Sequence, residues 1–285
     1  MKRSQSALCH PNQLCLSSDD VHHKISEQLA HLLLNVMDGY SCDRQTVSDI
    51  VVKASVTGAA IEGTCNAFAD APTGMTVRSC LNDELSVTEL QEIQCAVQTR
   101  LQADLPRRLW KSPLYLAMDW HDEPFYGKDL TLCAYACRGE AYKGTTWFYR
   151  VATVYVVHHQ IPYTLGIVFI LPEYSVRDVL EALLHQIQSL KLQIKGLYLD
   201  KGFCARPVIT FLKGKPYEVI IACPIRGKKA GTRMLCKGRK SYFTDYTFYA
   251  GKPEAYTVPL AVVRTYEKRH GKRRAVWLLY VTLNS

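Results

Sequence analysis

Leu114–Gly127 reads LYLAMDWHDEPFYG. It opens as a short apolar run, delivers a carboxylate at Asp119, and breaks into a polar turn with Pro124 and Gly127. A run of this length bounded by turn signals predicts a buried strand. An ionised Asp at its end is costly to bury unless a cation or several donors compensate. Ile194–Gly202, IKGLYLDKG, repeats the arrangement: an apolar strand ending in Asp200 before a glycine turn. Taken singly, each Asp also suits a turn or a helix cap. Taken together, two strands each presenting one carboxylate at the C-terminal end favour a divalent-metal site holding Mg²⁺ or Mn²⁺.

The segments around this pair give a fold class. Trp147–His158 and Pro162–Leu171 are dense in β-branched and aromatic residues and read as strands. Ser175 opens a helix with Asp178 in the capping-box position and a stripe of Val179, Leu183, Ile187 and Leu190. After Asp200 come a short helix, Arg206–Leu212, and a strand, Tyr217–Cys223. Three strands, helix, strand, helix, strand describes an α/β mixed sheet with helices on its faces, not a doubly wound one. No internal repeat and no glycine-rich phosphate loop is present.

Upstream, residues 1–20 are polar and aperiodic and read as disordered. Residues 21–110 read as helical. Val21, Ile25, Leu29, Leu32 and Leu33 recur at helical spacing up to Gly39 and Ser41, and Thr46–Ala60 turns Val47, Ile50, Val51 and Val56 inward. Short pieces follow around Cys65–Ala69 and Thr76–Leu81, then a longer helix from Ser86 to Ala103. Such a series suits a helix-turn-helix-like DNA-binding module and a generic bundle about equally. A proline-containing joint, Asp104–Pro113, leads to the sheet domain over 113–225.

From 226 to 285 the character changes. Ile225–Lys240, IRGKKAGTRMLCKGRK, is basic and punctuated by glycine. Three strand-like segments follow (Tyr242–Tyr249, Tyr256–Glu267, Ala275–Leu283), with a cationic turn at Lys268–Arg274. The net charge of +9 is uneven: residues 201–285 hold 18 Lys/Arg against 4 Asp/Glu. A basic third rich in Tyr and Phe is the footprint of a polyanion, most often nucleic acid, over a merely solvated face. The 11 cysteines are odd in number and irregularly spaced, which fits a reducing cytosol better than a disulfide framework. Cys133 and Cys137 lack a second pair to make a zinc site, and no apolar stretch is long enough to span a bilayer.

Three motifs carry a resemblance. AMDWHDEPFYGK around Asp119, GLYLDKGF around Asp200 and PIRGKKAGTRMLCKGRKSY resemble the DDE transposases of prokaryotic insertion sequences, over about residues 20–285. The resemblance implies an RNase H-like catalytic core with a basic β insertion, Asp119 on the first strand and Asp200 on the fourth. It implies Mg²⁺ or Mn²⁺ held by both acids, strand cutting and joining, and double-stranded DNA (transposon ends and target) as partner. Arg226, Lys228, Lys229, Arg233, Lys237, Arg239 and Lys240 would contact the DNA backbone. A homodimer on paired ends and a cytoplasmic, nucleoid-associated location are implied as well. The family's third acid is a Glu on a later helix. Glu254 and Glu267 lie within β segments without its context, so the chain reads as truncated before that acid, and a non-catalytic DNA-binding remnant or another RNase H-like nuclease stands as the alternative. Of the neighbours, His121 suits either a solvated turn or the face of Asp119, and Asp122 suits a turn. Lys128 and Lys201 suit phosphate or solvent, and Tyr242 and Tyr246 suit core packing before base stacking.

Overall fold

A computed structural model describes residues 17–32, 42–84, 89–103, 105–157, 163–227, 231–269 and 271–284. The chain divides into two compact units, one ending at Ala96 and one running from Val97.

The first unit is helical: α1 (Ser18–Leu32), α2 (Arg44–Thr57), α3 (Ile61–Cys65), α4 (Gly74–Glu84) and the start of α5 (Leu90–Ala103). Ser17 caps α1, its hydroxyl accepting from the Asp20 N–H at 3.0 Å, so order begins within the stretch read as disordered; the rest of that stretch lies outside the described residues. Asp43 caps α2 by accepting from the Thr46 N–H, and Gly58, at φ 65°, ends it in the left-handed conformation. The core stripes differ from those expected. Val21, Ile25 and Val56 are exposed, while Ser26 and Val52 are buried. The described core of this unit is small (Cys42, Val47, Ile50, Cys65 and Val77), so neighbouring helices rather than periodicity alone select which side chains go in. Gly39, Ser41, Ser86 and Val87 lie outside the described residues.

The second unit is built on one nine-stranded sheet. Its strands are β1 (Leu114–Pro124), β2 (Cys137–Tyr142), β3 (Thr145–Val156), β4 (Tyr163–Ile170), β5 (Ile194–Leu199), β6 (Glu218–Cys223), β7 (Tyr242–Phe248), β8 (Tyr256–Arg269) and β9 (Lys272–Leu283). The order is β2-β3-β1-β5-β6-β9-β8-β7, with β4 also paired to β3. β1 runs parallel to β5, and β5 to β6; β3 is antiparallel to β1 and to β4. The basic C-terminal strands continue this same sheet through β6–β9 pairing, from Val219↔Leu283 to Cys223↔Leu279.

Alternation along the strands gives the sheet one fully buried face. Leu116 and Met118 of β1, Leu197 and Leu199 of β5, Val219 and Ile221 of β6, and Leu279 and Val281 of β9 form one cluster with α7 (Val176–Gln188) and α8 (Arg206–Leu212). Of the expected stripe α7 buries Val179, Leu183 and Ile187, adds Leu180, and ends before the half-buried Leu190; Ser175 and Asp178 form the capping box. On the opposite face Tyr115, Thr153, Tyr155, Tyr198 and Ile220 are half-buried.

Two elements escape the sequence reading. A single-turn helix, α6 (Leu130–Cys133), follows β1, and β2 forms a hairpin with β3. Lys143 at φ 47° and Gly144 at φ 86° make its two-residue turn.

Candidate active site and nucleic-acid interface

The register of β1 and β5 brings the two aspartates together. Met118 pairs with Leu199, and the Asp200 N–H donates to the Met118 carbonyl at 3.2 Å. Asp119 and Asp200 are therefore the next positions on neighbouring parallel strands, whose backbones run about 4.8 Å apart. Alternation points both away from the buried face of Met118 and Leu199. Asp200 sits at the N-cap position of the 3-10 turn Lys201–Phe203, yet its side chain makes no capping hydrogen bond. Asp119 accepts from its neighbour's backbone, the Trp120 N–H, at 2.9 Å. Contrary to the expectation of burial, Asp119 is exposed and Asp200 half-buried. Their desolvation cost is correspondingly modest.

β1 does not turn after Asp119 but stays paired with β3 as far as Pro124↔Phe148. This decides between the two readings of His121 and corrects that of Asp122. His121 and Glu123 share the face of Asp119, with His121 Nε2 3.5 Å from Glu123 Oε2. Asp122 is no turn residue: its carboxylate takes both Arg150 Nε, at 2.7 Å, and Nη2, at 3.1 Å. That fork holds Arg150 beside Trp120, whose ring lies 5.8 Å from the guanidinium carbon.

Trp120 in turn covers the Asp200 turn. Its ring stacks on Phe203 at 5.3 Å, and a Cβ on Gly202 would lie 2.3 Å from the indole. Gly202 is thus there for close approach rather than for its backbone angles. Beside this stack opens a cleft of about 1380 Å³. Asp200 lines it with the cations Arg150, Lys201, Arg206, Arg226 and Lys252, the aromatics Trp120, Tyr142, Tyr249 and Tyr256, and Glu140 and Glu254. Arg206, at the start of α8, donates to the Glu254 carbonyl at 3.2 Å, which ties the β7–β8 turn to this wall. Burial pushes the Tyr256 phenol up to about 12. Cys204 also lines the cleft. A hydrogen bond from the Cys223 thiol draws Cys204 below the ordinary thiol range and raises Cys223.

The described part of the basic stretch after β6 forms a basic cover around a 3-10 helix, Gly231–Leu235. Thr232, buried, accepts from the Arg226 N–H at 2.8 Å and donates to the Pro224 carbonyl at 2.8 Å. Arg233 Nε donates to the Gly227 carbonyl at 2.6 Å. Arg226, Arg233, Lys237, Arg239 and Lys240 are exposed; Lys228 and Lys229 lie outside the described residues. Tyr242 and Tyr246 pack against the core, as their alternation implies, and the Tyr242 hydroxyl donates to the Leu235 carbonyl. Sequence reasoning did not single out Trp120, Arg206 or Lys252, and it put Glu254 within a β segment, whereas Glu254 lies in the turn between β7 and β8. Lys252, Pro253 and Glu254 form a turn, and Arg206 precedes Pro207 at a helix start, but neither signal says which cleft it faces.

Among the described residues no three His, Cys, Asp or Glu side chains come together as a metal-holding group, and Cys133 and Cys137 are free thiols. No described helix is long and apolar enough to cross a membrane.

No protein-family model matches the chain, and no curated protein sequence matches it. Among solved structures it is similar to a piggyBac transposase in a synaptic complex with hairpin DNA, at 12% identity and a TM-score of 0.41 over 93% of this chain and 52% of that one. It is also similar to the Drosophila P element transposase in a strand transfer complex, at 14% identity and a TM-score of 0.35 over 68% of this chain and 41% of that one. The chain thus spans about half the length of the first.

Proposed function

We propose that this chain is a DNA transposase of the prokaryotic insertion-sequence type, with an RNase H-like core that cuts and joins DNA strands as a homodimer on paired ends. The observation that carries the reading is the pair Asp119 and Asp200 at adjacent positions of neighbouring parallel strands. The strand order β4-β3-β1-β5-β6, with β3 alone antiparallel to the other four, supports it. So does the cleft beside Asp200, whose lining includes Arg150, Lys201, Arg206, Arg226 and Lys252.

Two carboxylates at an accessible rim are a hard oxygen donor set that fits Mg²⁺ or Mn²⁺. Asp119 and Asp200 would hold these ions, which when bound supply charge neutralisation at a transferring phosphoryl group. The chain's own residues do the rest. The Trp120–Phe203 stack fixes the turn that presents Asp200. Arg150, Lys201, Arg206, Arg226 and Lys252 place cations where the phosphates of a bound strand would run. Arg226, Arg233, Lys237, Arg239 and Lys240, with Lys228 and Lys229, would hold the flanking duplex by its backbone.

The test supplies the chain with Mn²⁺, a target plasmid and duplexes ending in the sequences that flank its own reading frame, pre-cut to a 3′-hydroxyl. Joined product that disappears with Asp119→Asn is the expected result. Cutting without joining would replace the reading by an RNase H-like nuclease, and DNA binding with neither activity by a non-catalytic DNA-binding protein.

A further inference from the structure

The last β6–β9 pair is Cys223↔Leu279 and the last β7–β8 pair is Tyr242↔Val262. Beyond them β8 and β9 pair only with each other, from Val263↔Leu278 to Arg269↔Lys272. Seven residue pairs at about 3.4 Å each make a two-stranded ribbon about 23 Å long. It leaves the sheet at the C-terminal edge of β6, and the parallel register makes this the edge where Asp119 and Asp200 lie.

The ribbon's composition works against its own stability. Two-stranded ribbons are marginal alone, and this one sets Lys268 opposite Arg273, next to a single opposite-charge position, Glu267 opposite Arg274. Like charges facing each other across strands repel. No acid forms an ion pair with Lys268, Lys272, Arg273 or Arg274 among the described residues, and all four are exposed. One face is nevertheless ordered. Arg264, Tyr266 and Lys268 share it with Arg273 and Trp277. The Arg273 guanidinium lies 4.3 Å from the Tyr266 ring centroid. Arg264 lies 5.0 Å from the same centroid and donates to the Tyr266 hydroxyl at 2.7 Å. Arg264 also donates to the Arg239 carbonyl at 3.1 Å, which joins this face to the basic cover.

We infer that the β8–β9 ribbon is a second DNA-binding element, an arm that lies in a groove of duplex DNA with Lys268, Lys272, Arg273 and Arg274 on its phosphates. The inference rests on the reading that DNA is the substrate, and it adds a contact surface which that reading does not use. A two-stranded ribbon is one of the shapes the roughly 12 Å wide major groove admits. Stacking on Tyr266 holds Arg273 in place before binding, so less side-chain freedom is lost in the complex. Phosphates interleaved between the facing cations remove the repulsion that the free ribbon carries. The element positions a duplex and reads no sequence.

The test measures binding of the full chain to a labelled duplex of arbitrary sequence, and to one of its strands alone, over a salt series. The ribbon variant carries Lys268→Ala, Lys272→Ala, Arg273→Ala and Arg274→Ala. A charge-matched control carries Lys111→Ala, Lys191→Ala, Lys195→Ala and Lys213→Ala, exposed lysines at the opposite edge of the sheet. The expected slope of log K against log[salt] becomes shallower by about 3 to 4 in the ribbon variant, about 0.9 per phosphate contact. Duplex affinity falls at least about tenfold, and the control keeps both. Arg273→Gln alone makes the slope shallower by about 0.9, which keeps the test available should the fourfold variant misfold. Equal losses in ribbon variant and control, or loss of single-strand binding without loss of duplex binding, would overturn the arm. A parent chain that binds no duplex at any salt would overturn the DNA reading with it, whereas an unaffected ribbon variant overturns the arm alone.

Discussion

At the N-terminal end of β1, β5 and β6 the polar groups are satisfied within the chain. Asn284 accepts from the Gly214 N–H and donates to the carbonyls of Leu212 and Tyr217, closing the approach to β6. The Leu114 N–H donates to the Gln193 carbonyl, and Tyr115 stacks on Tyr198 at 5.5 Å. At the C-terminal end of the same strands the arrangement reverses. Asp119 and Asp200 stand at the rim, and Tyr249, at φ 53°, lines the cleft. Facing cations extend the sheet into solvent. One edge spends its polar groups on the fold and the other leaves them for a ligand. Exposed charge of this kind collects where function, rather than stability, sets the residue.

Substitutions at the two edges should therefore separate stability from ligand response. Leu212→Ala, at the fully buried end of α8, should cost about 2–5 kcal/mol in denaturant unfolding. Gly202→Ala forces a Cβ into Trp120 and should cost about 1–3 kcal/mol. Because it moves the Asp200 turn, it should also weaken the metal response, which Leu212→Ala leaves intact in the folded fraction. Asn284→Ala leaves one N–H and two carbonyls without their partner, at about 1–2 kcal/mol, with DNA binding unchanged. The smallest effect is chemical. Cys204 should alkylate with iodoacetamide before Cys223, with a midpoint below that of an ordinary thiol. Its hydrogen bond from Cys223 favours the thiolate as pH rises. Equal labelling of the two would remove that hydrogen bond from the account.

How legible these edges are in sequence depends on how local their causes are. The capping box needs only Ser175 and Asp178, three residues apart, and both strand-end aspartates follow runs that declare themselves. The β2 hairpin was missed because CRGEAY buries only Cys137, although the Lys143–Gly144 turn carries the hairpin signal. Asp122 was misread because Pro124 suggests a turn, while its partner Arg150 lies 28 residues away and becomes a neighbour only through β1–β3 pairing. The union of the basic strands with the sheet rests on β6–β9 pairing across about sixty residues, which no local pattern records. In the helical unit, Val21, Ile25 and Val56 have the right spacing but no core to enter.

The carboxylate pair is tested most directly by Mn²⁺ binding to the chain, read as Mn²⁺-dependent thermal stabilisation beside titration calorimetry. The parent chain should bind weakly, at about millimolar concentration, since two carboxylates leave most of a hard cation's coordination to water. Asp119→Asn and Asp200→Asn should each abolish the response while leaving the apo melting temperature unchanged, and Asp122→Asn should keep it. If both Asn variants bind Mn²⁺ as the parent does, the metal site is not at these strand ends.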